Sequence, residues 1–272
     1  MNMDEKQIVF TAKINGFEMD YMKFGSGANS LVILPGMSLM SVMPLAPLCA
    51  GTYKLFTEDY TVYLFDRRKK FDKGYSIEDM ARDTALVMKT LGISGACFLG
   101  ISQGGAIAQT IAEEYPELVN KLALAATSSR ANEVSTPVFR EWIRLTKAGN
   151  IDDLVSFFID TIYTERAAKL CKKVVIEANR AASELDKNNF IAMAESCICY
   201  DRFRELEKIK SPTFVVGGGL DQVFSANASI EIYERLKSCG TPCELFIYEG
   251  YNHAVYDEAP DFRKRVLEFF RK

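Results

Sequence analysis

The amino-acid sequence predicts an α/β fold, in which helices flank a mostly parallel, twisted central sheet. Short continuous apolar runs, typical of strands buried on both faces, alternate with amphipathic helical patterns before residue 127 and again after residue 211. Between them, residues 127–211 contain helical patterns alone. A chain of 272 residues, 48% of them hydrophobic, is large enough for one such domain with a helical insertion.

The first elements of the chain are a predicted hairpin and a buried strand. Gln7–Ile14 and Phe17–Phe24 flank Asn15-Gly16, which is a strong signal for a two-residue turn. Leu31–Leu34 follows as a continuous apolar run that ends at Pro35-Gly36. Such a run is typical of a strand that is buried on both faces.

Three further buried strands alternate with two helices. The first helix has Ser76 as its N-cap, apolar residues three and four positions apart, and Gly92 as its stop. The second helix, Gln103–Tyr115, ends before Pro116. This alternation predicts βαβ units and therefore a parallel sheet. The three predicted strands are Thr61–Phe65, Ala96–Leu99 and Leu122–Ala126.

The alternation then stops and later resumes, which divides the chain. We predict a core domain of residues 1–126 and 212–272, and a helical cap, or lid, of residues 127–211. The composition of the cap is not that of a linker, so we expect it to pack over the edge of the sheet. The predicted cap helices are Pro137–Ala148, Asp152–Tyr163, Glu165–Ala182 and Asn189–Cys199. The later core elements are strand Thr213–Val216, a helix near Ala226–Lys237, strand Glu244–Tyr248 and helix Asp261–Arg271.

The charge and the terminal sequence argue against several kinds of partner. The formal net charge is −3 and the positive residues are scattered, so we expect neither nucleic acid nor an anionic membrane as a partner. The densest basic run, Arg67-Arg68-Lys69-Lys70, is interpreted as a solvated loop. Met1–Phe10 lacks the apolar region of a secretory signal, and no apolar stretch is long enough to span a membrane. A cytoplasmic location is therefore predicted.

The seven cysteines are best interpreted as small apolar side chains in a reducing compartment. Their number is odd and their spacing is not that of a disulfide framework. Cys197 and Cys199 form one close pair and Cys239 and Cys243 form another, which leaves redox or metal chemistry as the less favoured alternative. Because the chain contains only one histidine, we expect no metal site and no other cofactor.

One short segment carries the pattern of a reactive serine. In Gly100-Ile101-Ser102-Gln103-Gly104-Gly105, a G-x-S-x-G sequence lies between a predicted strand and a predicted helix. This arrangement is typical of a strained, tight turn that projects the Ser102 hydroxyl beyond the sheet. Side chains at Gly100 and Gly104 would collide with the crossing strand and helix. The alternative is a tight turn without chemistry, which the position between these two elements disfavours.

A serine hydroxyl becomes a good nucleophile only when a neighbouring base accepts its proton. The single histidine, His253, follows the predicted strand Glu244–Tyr248 and so lies at the carboxyl edge of the sheet. Asp221 also leaves a buried strand, and the order Ser102, Asp221, His253 suits a catalytic triad. Asp257 competes as the acid, but it is interpreted as a surface or capping carboxylate.

An oxyanion intermediate requires two preplaced N–H donors. The backbone N–H of Gln103, next to the serine, is the first predicted donor. The second is the backbone N–H of Met37, because Gly36 permits a turn and Pro35 has no N–H to donate. The Ser38 hydroxyl is a candidate helper. The alternative is that the Pro-Gly pair is merely a turn.

Taken together, these segments resemble the α/β-hydrolase superfamily, in its branch of cap-bearing serine hydrolases. The resemblance covers nearly the whole chain and is most specific in Gly100–Gly105, Gly217–Asp221 and Gly250–His253. Two departures stand out. Pro35-Gly36 stands where family members often carry His-Gly, and residues 66–76 lack the inner glycines of the family's Asp-x-Arg-Gly-x-Gly-x-Ser loop. The second departure implies a different loop shape.

The resemblance implies an α/β-hydrolase fold and a serine hydrolase that forms an acyl-enzyme through Ser102, His253 and Asp221. The expected substrate is a small to medium, partly apolar carboxylic ester, thioester or lactone. One alternative is a C–C-bond hydrolase or cofactor-free perhydrolase with the same triad, and another is a hydrolase-like ligand sensor with little turnover. Serine at the elbow disfavours epoxide-hydrolase and haloalkane-dehalogenase chemistry, for which the family uses aspartate.

A small-molecule substrate is the expected partner, and a homodimer is left open. The cap is expected to supply most of the substrate pocket, although helical spacing also suits a core between cap helices. The apolar cap residues considered for the pocket are Phe139, Trp142, Phe157, Phe158, Ile162 and Met193.

Overall fold

A computed structural model of the chain describes residues 8–14 and 16–272. In these residues, eight strands form one sheet in the order β1-β2-β4-β3-β5-β6-β7-β8. The pairs β1–β2 and β2–β4 are antiparallel, and all other neighbouring strands are parallel. The predicted mostly parallel sheet is therefore confirmed. The strands are β1 (Val9–Ile14), β2 (Phe17–Phe24), β3 (Asn29–Leu34), β4 (Tyr60–Arg68), β5 (Ala96–Ile101), β6 (Val119–Ala125), β7 (Thr213–Gly218) and β8 (Cys243–Tyr248).

The helices surround this sheet, and four of them lie between β6 and β7 in the chain. None of the helices within the described ranges is long and apolar enough to cross a membrane. The helices are α1 (Ala46–Thr52), α2 (Ile77–Thr90), α3 (Gln103–Glu114), α4 (Ser135–Lys147), α5 (Ile151–Ile162), α6 (Glu165–Asn179), α7 (Glu184–Cys199), α8 (Ala226–Ser238), α9 (Val255–Glu258) and α10 (Phe262–Arg271).

The structure corrects several predicted boundaries. Helix α7 begins at Glu184 rather than Asn189, because the Ser183 and Asp186 side chains form a capping box at its start. Helix α6 ends at Asn179 rather than Ala182. The short helices α1 and α9 were not predicted. In the predicted hairpin, β1 and β2 pair as expected, whereas Gln7 and Asn15 lie outside the described residues.

Strand β4 is longer than predicted, and this changes the interpretation of the basic run. The strand extends through Arg67 to Arg68, so it includes half of the segment that was interpreted as a solvated loop. Arg67 is buried, with 9% of its surface exposed, whereas Lys69 and Lys70 are exposed. The solvated-loop interpretation is therefore wrong for Arg67, whose guanidinium has partners inside the protein.

Two apolar layers cover the two faces of the sheet. On one face, α1 and α10 pack through residues such as Ala46 and Val266. On the other face, α2 and α3 share one continuous core with α4, α5 and α7, which includes Ile107, Trp142 and Phe190. The four inserted helices are thus packed onto the core. The division into a core and a cap at residues 127 and 211 stays a prediction.

The turn at the start of α3 depends on very close backbone packing. An added Cβ at Gly104 would overlap with the backbone of Leu34 and Pro35, where β3 ends. At Gly100, an added Cβ would lie only 2.7 Å from the Cα of Gly105. Glycine is therefore required at both positions for steric reasons, as the sequence predicts.

We expect Gly104→Ala to lower the free energy of unfolding by at least about 2 kcal/mol, because rigid backbone atoms must move to admit the methyl group. Gly51→Ala is the matched control, since Gly51 lies in α1 with no atom within 4 Å of an added Cβ. That change should be neutral or stabilise the protein by up to about 1 kcal/mol. Urea denaturation measures both values. Equal stability of the two variants would contradict the packing argument.

Candidate active site

Ser102 lies at the tip of the turn between β5 and α3. Its backbone has φ 51° and ψ −122°, a conformation that L-residues rarely adopt. The Ser102 carbonyl accepts hydrogen bonds from the N–H of Gly105 at 2.8 Å and from the hydroxyl of Thr127 at 2.7 Å. These bonds hold the strained residue in place, so its hydroxyl has a fixed direction.

The structure brings the three predicted triad residues together. The Nε2 atom of His253 lies 3.0 Å from the Ser102 Oγ, and its Nδ1 atom lies 2.9 Å from the Asp221 Oδ2. Asp221 follows β7 and His253 follows β8, so both project from the carboxyl ends of neighbouring strands. Both side chains are buried, each with 3% of its surface exposed. This geometry allows the imidazole to accept the serine proton while the carboxylate orients it.

The Asp221 carboxylate is held in its charged form. Burial alone would raise its pKa, but the imidazole of His253 and backbone donors outweigh this effect and lower the pKa. Its Oδ1 atom accepts hydrogen bonds from the N–H of Val223 at 2.7 Å and of Phe224 at 3.0 Å. The second oxygen is thus left for the imidazole.

Asn252 connects this site to the inserted helices, and the sequence analysis did not identify it. Its Oδ1 atom accepts hydrogen bonds from the backbone N–H of Gln222 and of His253. Its Nδ2 atom donates to the carbonyls of Thr161 and Tyr163 at the end of α5. One buried amide therefore links the acid loop, the histidine loop and the insertion. Its position immediately before the single histidine was the sequence signal that could have identified Asn252 as part of the site.

Of the two predicted oxyanion donors, Met37 lies in the loop after β3 and Gln103 is the first residue of α3, directly after Ser102. Gly36 approaches Ser102 so closely that an added Cβ would lie 3.2 Å from the serine Cβ. Within the described part of the chain, neither N–H donates to a protein acceptor. Among the described residues, both N–H groups thus lack a protein acceptor, as an oxyanion donor requires, and their role as donors stays a prediction. The Ser38 hydroxyl, the candidate helper, instead donates to the carbonyl of Met40 at 2.8 Å.

Arg67 supports both loops, although the sequence analysis assigned it to solvent. Its Nη2 atom donates to the carbonyl of Pro35 at 2.7 Å and to the Gln103 Oε1 at 2.9 Å. The Gln103 Nε2 atom in turn donates to the carbonyl of Met193 in α7 at 3.1 Å. Burial lowers the pKa of Arg67, and its Nε has no protein partner in the described residues. The buried Arg67 guanidinium thus connects the loop after β3 with the start of α3, the two segments that contain the candidate donors.

An apolar cavity of about 360 Å³ opens beside these loops. Gly36, Met37 and Ile101 form its wall next to Ser102, whereas Ser102 and His253 are not themselves part of the lining. Helix α5 contributes a large apolar surface, including Phe158 and Ile162. The volume suits a small or medium organic molecule.

The six apolar cap residues considered for the pocket have different positions. Phe158 and Ile162 line the cavity. Phe139 and Trp142 are buried against each other, with ring centroids 5.2 Å apart. Met193 lines a separate, more polar cavity, and Phe157 packs on the core. Core packing between helices therefore explains most of these apolar positions.

The cysteines and other metal-binding residue types do not gather into a site. All seven cysteines are free thiols. Cys197 is buried, and its Sγ atom lies 3.4 Å from the Nε2 atom of Gln103. Within the described ranges, no group of three or more His, Cys, Asp or Glu side chains could hold a metal ion.

Comparison with known proteins identifies the family of the chain. Residues 29–260 match the family model for the alpha/beta hydrolase fold. The chain belongs to the α/β-hydrolase family. This confirms the predicted resemblance. Because the relatives described next are named as hydrolases, the chain is a hydrolytic enzyme.

Three α/β-hydrolases illustrate the similarity. A 2-hydroxy-6-oxononadienedioate/2-hydroxy-6-oxononatrienedioate hydrolase of Pseudomonas sp. is 38% identical over 228 residues, which is 78% of each chain. A putative carbamate hydrolase, RutD, of Rhizobium rhizogenes is 26% identical over 78% of this chain and 83% of its own. The crystal structure of the enol-lactonase from Burkholderia xenovorans LB400 superimposes with a TM-score of 0.81. That similarity covers 96% of this chain and all of the other, at 21% identity.

The strain at Ser102 can be measured with two substitutions that remove the same hydroxyl. Ser102→Gly relieves the unfavourable backbone conformation, whereas Ser102→Ala retains the Cβ that causes it. We therefore expect the glycine variant to be more stable than the alanine variant by about 1 kcal/mol, even though glycine costs more entropy on folding. Chemical denaturation of both proteins provides the comparison. A more stable alanine variant would show that the turn is not strained.

Proposed function

We propose that this α/β-hydrolase cleaves a small to medium, partly apolar carboxylic ester, thioester or lactone through an acyl-enzyme on Ser102. The observation that carries the proposal is the continuous hydrogen-bonded chain from the Ser102 Oγ through the imidazole of His253 to Asp221. Reactive serines of this kind need a base and an orienting acid at such distances.

In the proposed mechanism, His253 accepts the proton of Ser102 while the serine oxygen attacks the carbonyl carbon of the substrate. The negative charge that develops on the carbonyl oxygen is stabilised by the N–H groups of Gln103 and Met37. The imidazolium then protonates the leaving alcohol or thiol, and the acyl group remains on the serine. Water, activated by the same imidazole, attacks the acyl-enzyme and releases the acid.

The charges around the cavity bear on the choice of substrate. The relative of 38% identity is named for a dioate, which carries two carboxylates. Among the described residues that line the present cavity, the one charged side chain is the carboxylate of Asp257. A second carboxylate on the substrate would therefore meet repulsion rather than a positive partner. This favours a neutral or positively charged ester over a dicarboxylate, and so favours ester cleavage over the C–C-bond alternative.

The first test is the loss of turnover on substitution of the triad. With a panel of activated esters, thioesters and lactones, Ser102→Ala should lower kcat by at least on the order of 10⁴-fold and abolish labelling by a fluorophosphonate. Asp221→Asn should lower kcat on the order of 10³–10⁴-fold, because the imidazole loses its orienting partner. Unchanged turnover and labelling in Ser102→Ala would exclude this nucleophile.

The second test is the pH dependence of kcat/KM. An imidazolium cannot accept the serine proton, so kcat/KM should fall toward acidic pH. Because the pKa of Asp221 is lowered, its carboxylate stays ionised through the range in which histidines titrate. With a neutral ester as substrate, we therefore expect the acid limb to follow the ionisation of the imidazole and not that of Asp221. A flat profile with chemistry rate-limiting would contradict this assignment.

The third test concerns Arg67 as a positioning residue. Arg67→Met removes the link between the carbonyl of Pro35 and the side chain of Gln103, so the two oxyanion donors should lose their fixed spacing. We expect kcat to fall on the order of tenfold or more, with a smaller change in KM. Arg68→Met is the control, because within the described residues the Arg68 side chain forms no hydrogen bond or ion pair with Pro35 or Gln103 and instead pairs with Asp72 and Asp83. An equal fall in kcat in both variants would argue against the positioning role.

A further inference from the structure

Among the described residues that line the cavity, one carries a carboxylate, Asp257 in α9. It lies four residues after His253, and the residue is exposed. Its Oδ2 atom accepts a hydrogen bond from the hydroxyl of Tyr163 at 2.9 Å. Within the described residues, the Oδ1 atom has no hydrogen-bond partner, and no lysine or arginine forms an ion pair with this carboxylate. One acceptor oxygen is thus free for a ligand. Asp257 is exposed and lies in the first turn of α9, which agrees with the predicted surface or capping carboxylate; its position on the cavity lining is the additional finding.

Tethering of α5 to the histidine loop does not account for Asp257. Glu258 already accepts hydrogen bonds from the N–H and the hydroxyl of Thr164. The N–H of Ala254 donates to the carbonyl of Ile162 at 2.7 Å, and the Asn252 amide adds two more bonds to the same segment. The structural connection is therefore complete without the Asp257 carboxylate.

The surroundings of Asp257 suit an organic cation. Five aromatic residues are among those that line the cavity, and one of them, Tyr163, contacts the carboxylate. The faces of aromatic rings attract cations. Protein atoms crowded around the carboxyl group partly desolvate it and raise the pKa of Asp257, although the residue is exposed. Tyr163 and Arg263 act in the opposite direction, while Glu258 raises the pKa further. Arg263 acts only at longer range, and its Nη1 atom donates to the carbonyl of Tyr256. The aromatic residues of the cavity are Tyr53, Phe158, Tyr163, Phe190 and Tyr256.

We propose that the enzyme acts on esters that carry an ammonium group at the end remote from the scissile bond, with Asp257 and the surrounding aromatic rings binding this cation. The reactive carbonyl would lie beside Gly36 and Met37, and the apolar wall of α5 would contact the connecting chain. This inference rests on the proposed function, since it assigns the substrate class of the same site. It makes Asp257 a residue that determines specificity.

The test compares esters of the same shape and different charge. One series carries a trimethylammonio group at the end of the alcohol chain, a second carries it at the end of the acyl chain, and the chains vary in length. The neutral partner of each ester has a tert-butyl group in the same place. We expect kcat/KM of the wild-type enzyme to favour the ammonium ester by roughly tenfold or more at one chain length in one of the series.

Substitution then assigns the preference to Asp257. Asp257→Asn should abolish the preference, so that the ratio of kcat/KM for the ammonium ester to that for the neutral ester falls by roughly tenfold to about one, because the amide keeps the shape and removes the charge. Tyr163→Phe should retain the preference, since the carboxylate remains. Glu234→Gln is the matched control for net charge, because Glu234 is exposed on α8 and does not line the cavity.

Several outcomes would overturn the inference. The first is that the wild-type enzyme hydrolyses neutral esters but shows no preference for the ammonium ester. The second is that the preference persists in Asp257→Asn. The third is that turnover of both esters falls equally in that variant. An equal preference for esters with a terminal hydroxyl would also overturn it, because a neutral donor would then suffice.

If the wild-type enzyme hydrolysed none of these esters, the proposed function would fail, and binding would then be measured directly. Calorimetry with the trimethylammonio alcohol and its tert-butyl counterpart should still show tighter binding of the cation, lost in Asp257→Asn. Equal binding of the two alcohols would reject the cation site as well.

Discussion

The close packing of backbone on backbone at the turn before α3 is the constraint on which the rest of the site depends. Gly104 lies directly against the backbone of Leu34 and Pro35, so the end of β3 and the start of α3 touch without any intervening side chain. This contact places Ser102 beside Gly36, which precedes Met37 in the chain. A larger residue at the turn would separate the proposed nucleophile from the loop that contains the second proposed oxyanion donor.

Two buried polar side chains extend this geometry outward. Arg67 holds the Pro35 carbonyl and the Gln103 side chain, while Asn252 holds the acid loop, the histidine loop and the end of α5. Most of these hydrogen bonds are to backbone groups, and buried hydrogen bonds are costly to break. The loops of the site are thus held by interior hydrogen bonds, although loops at the edge of a sheet are usually its most mobile parts.

The sequence was sufficient to predict the sheet, the insertion and the convergence of Ser102, Asp221 and His253, because each follows a buried strand and the chain has one histidine. It was less informative where the outcome depends on partners distant in the chain. Arg67 belongs to a basic run, and only the folded structure shows that the Pro35 carbonyl and the Gln103 side chain surround it. Asp257 resembles any carboxylate near a helix terminus, and its place on a cavity wall depends on α5.

The end of α5 shows why the insertion and the candidate base form one unit. The last carbonyls of a helix lack partners within it. Here Thr161 and Ile162 receive theirs from Asn252 and Ala254, which flank His253 in the chain. The same helix lines the cavity through Phe158 and Ile162. Any movement of α5 that admits a larger substrate must therefore strain or break hydrogen bonds made on either side of the imidazole. The position of α5, which limits the size of the substrate, is therefore coupled through the backbone to the orientation of the His253 imidazole. A change in the shape of the cavity at α5 would also change the alignment of this candidate base.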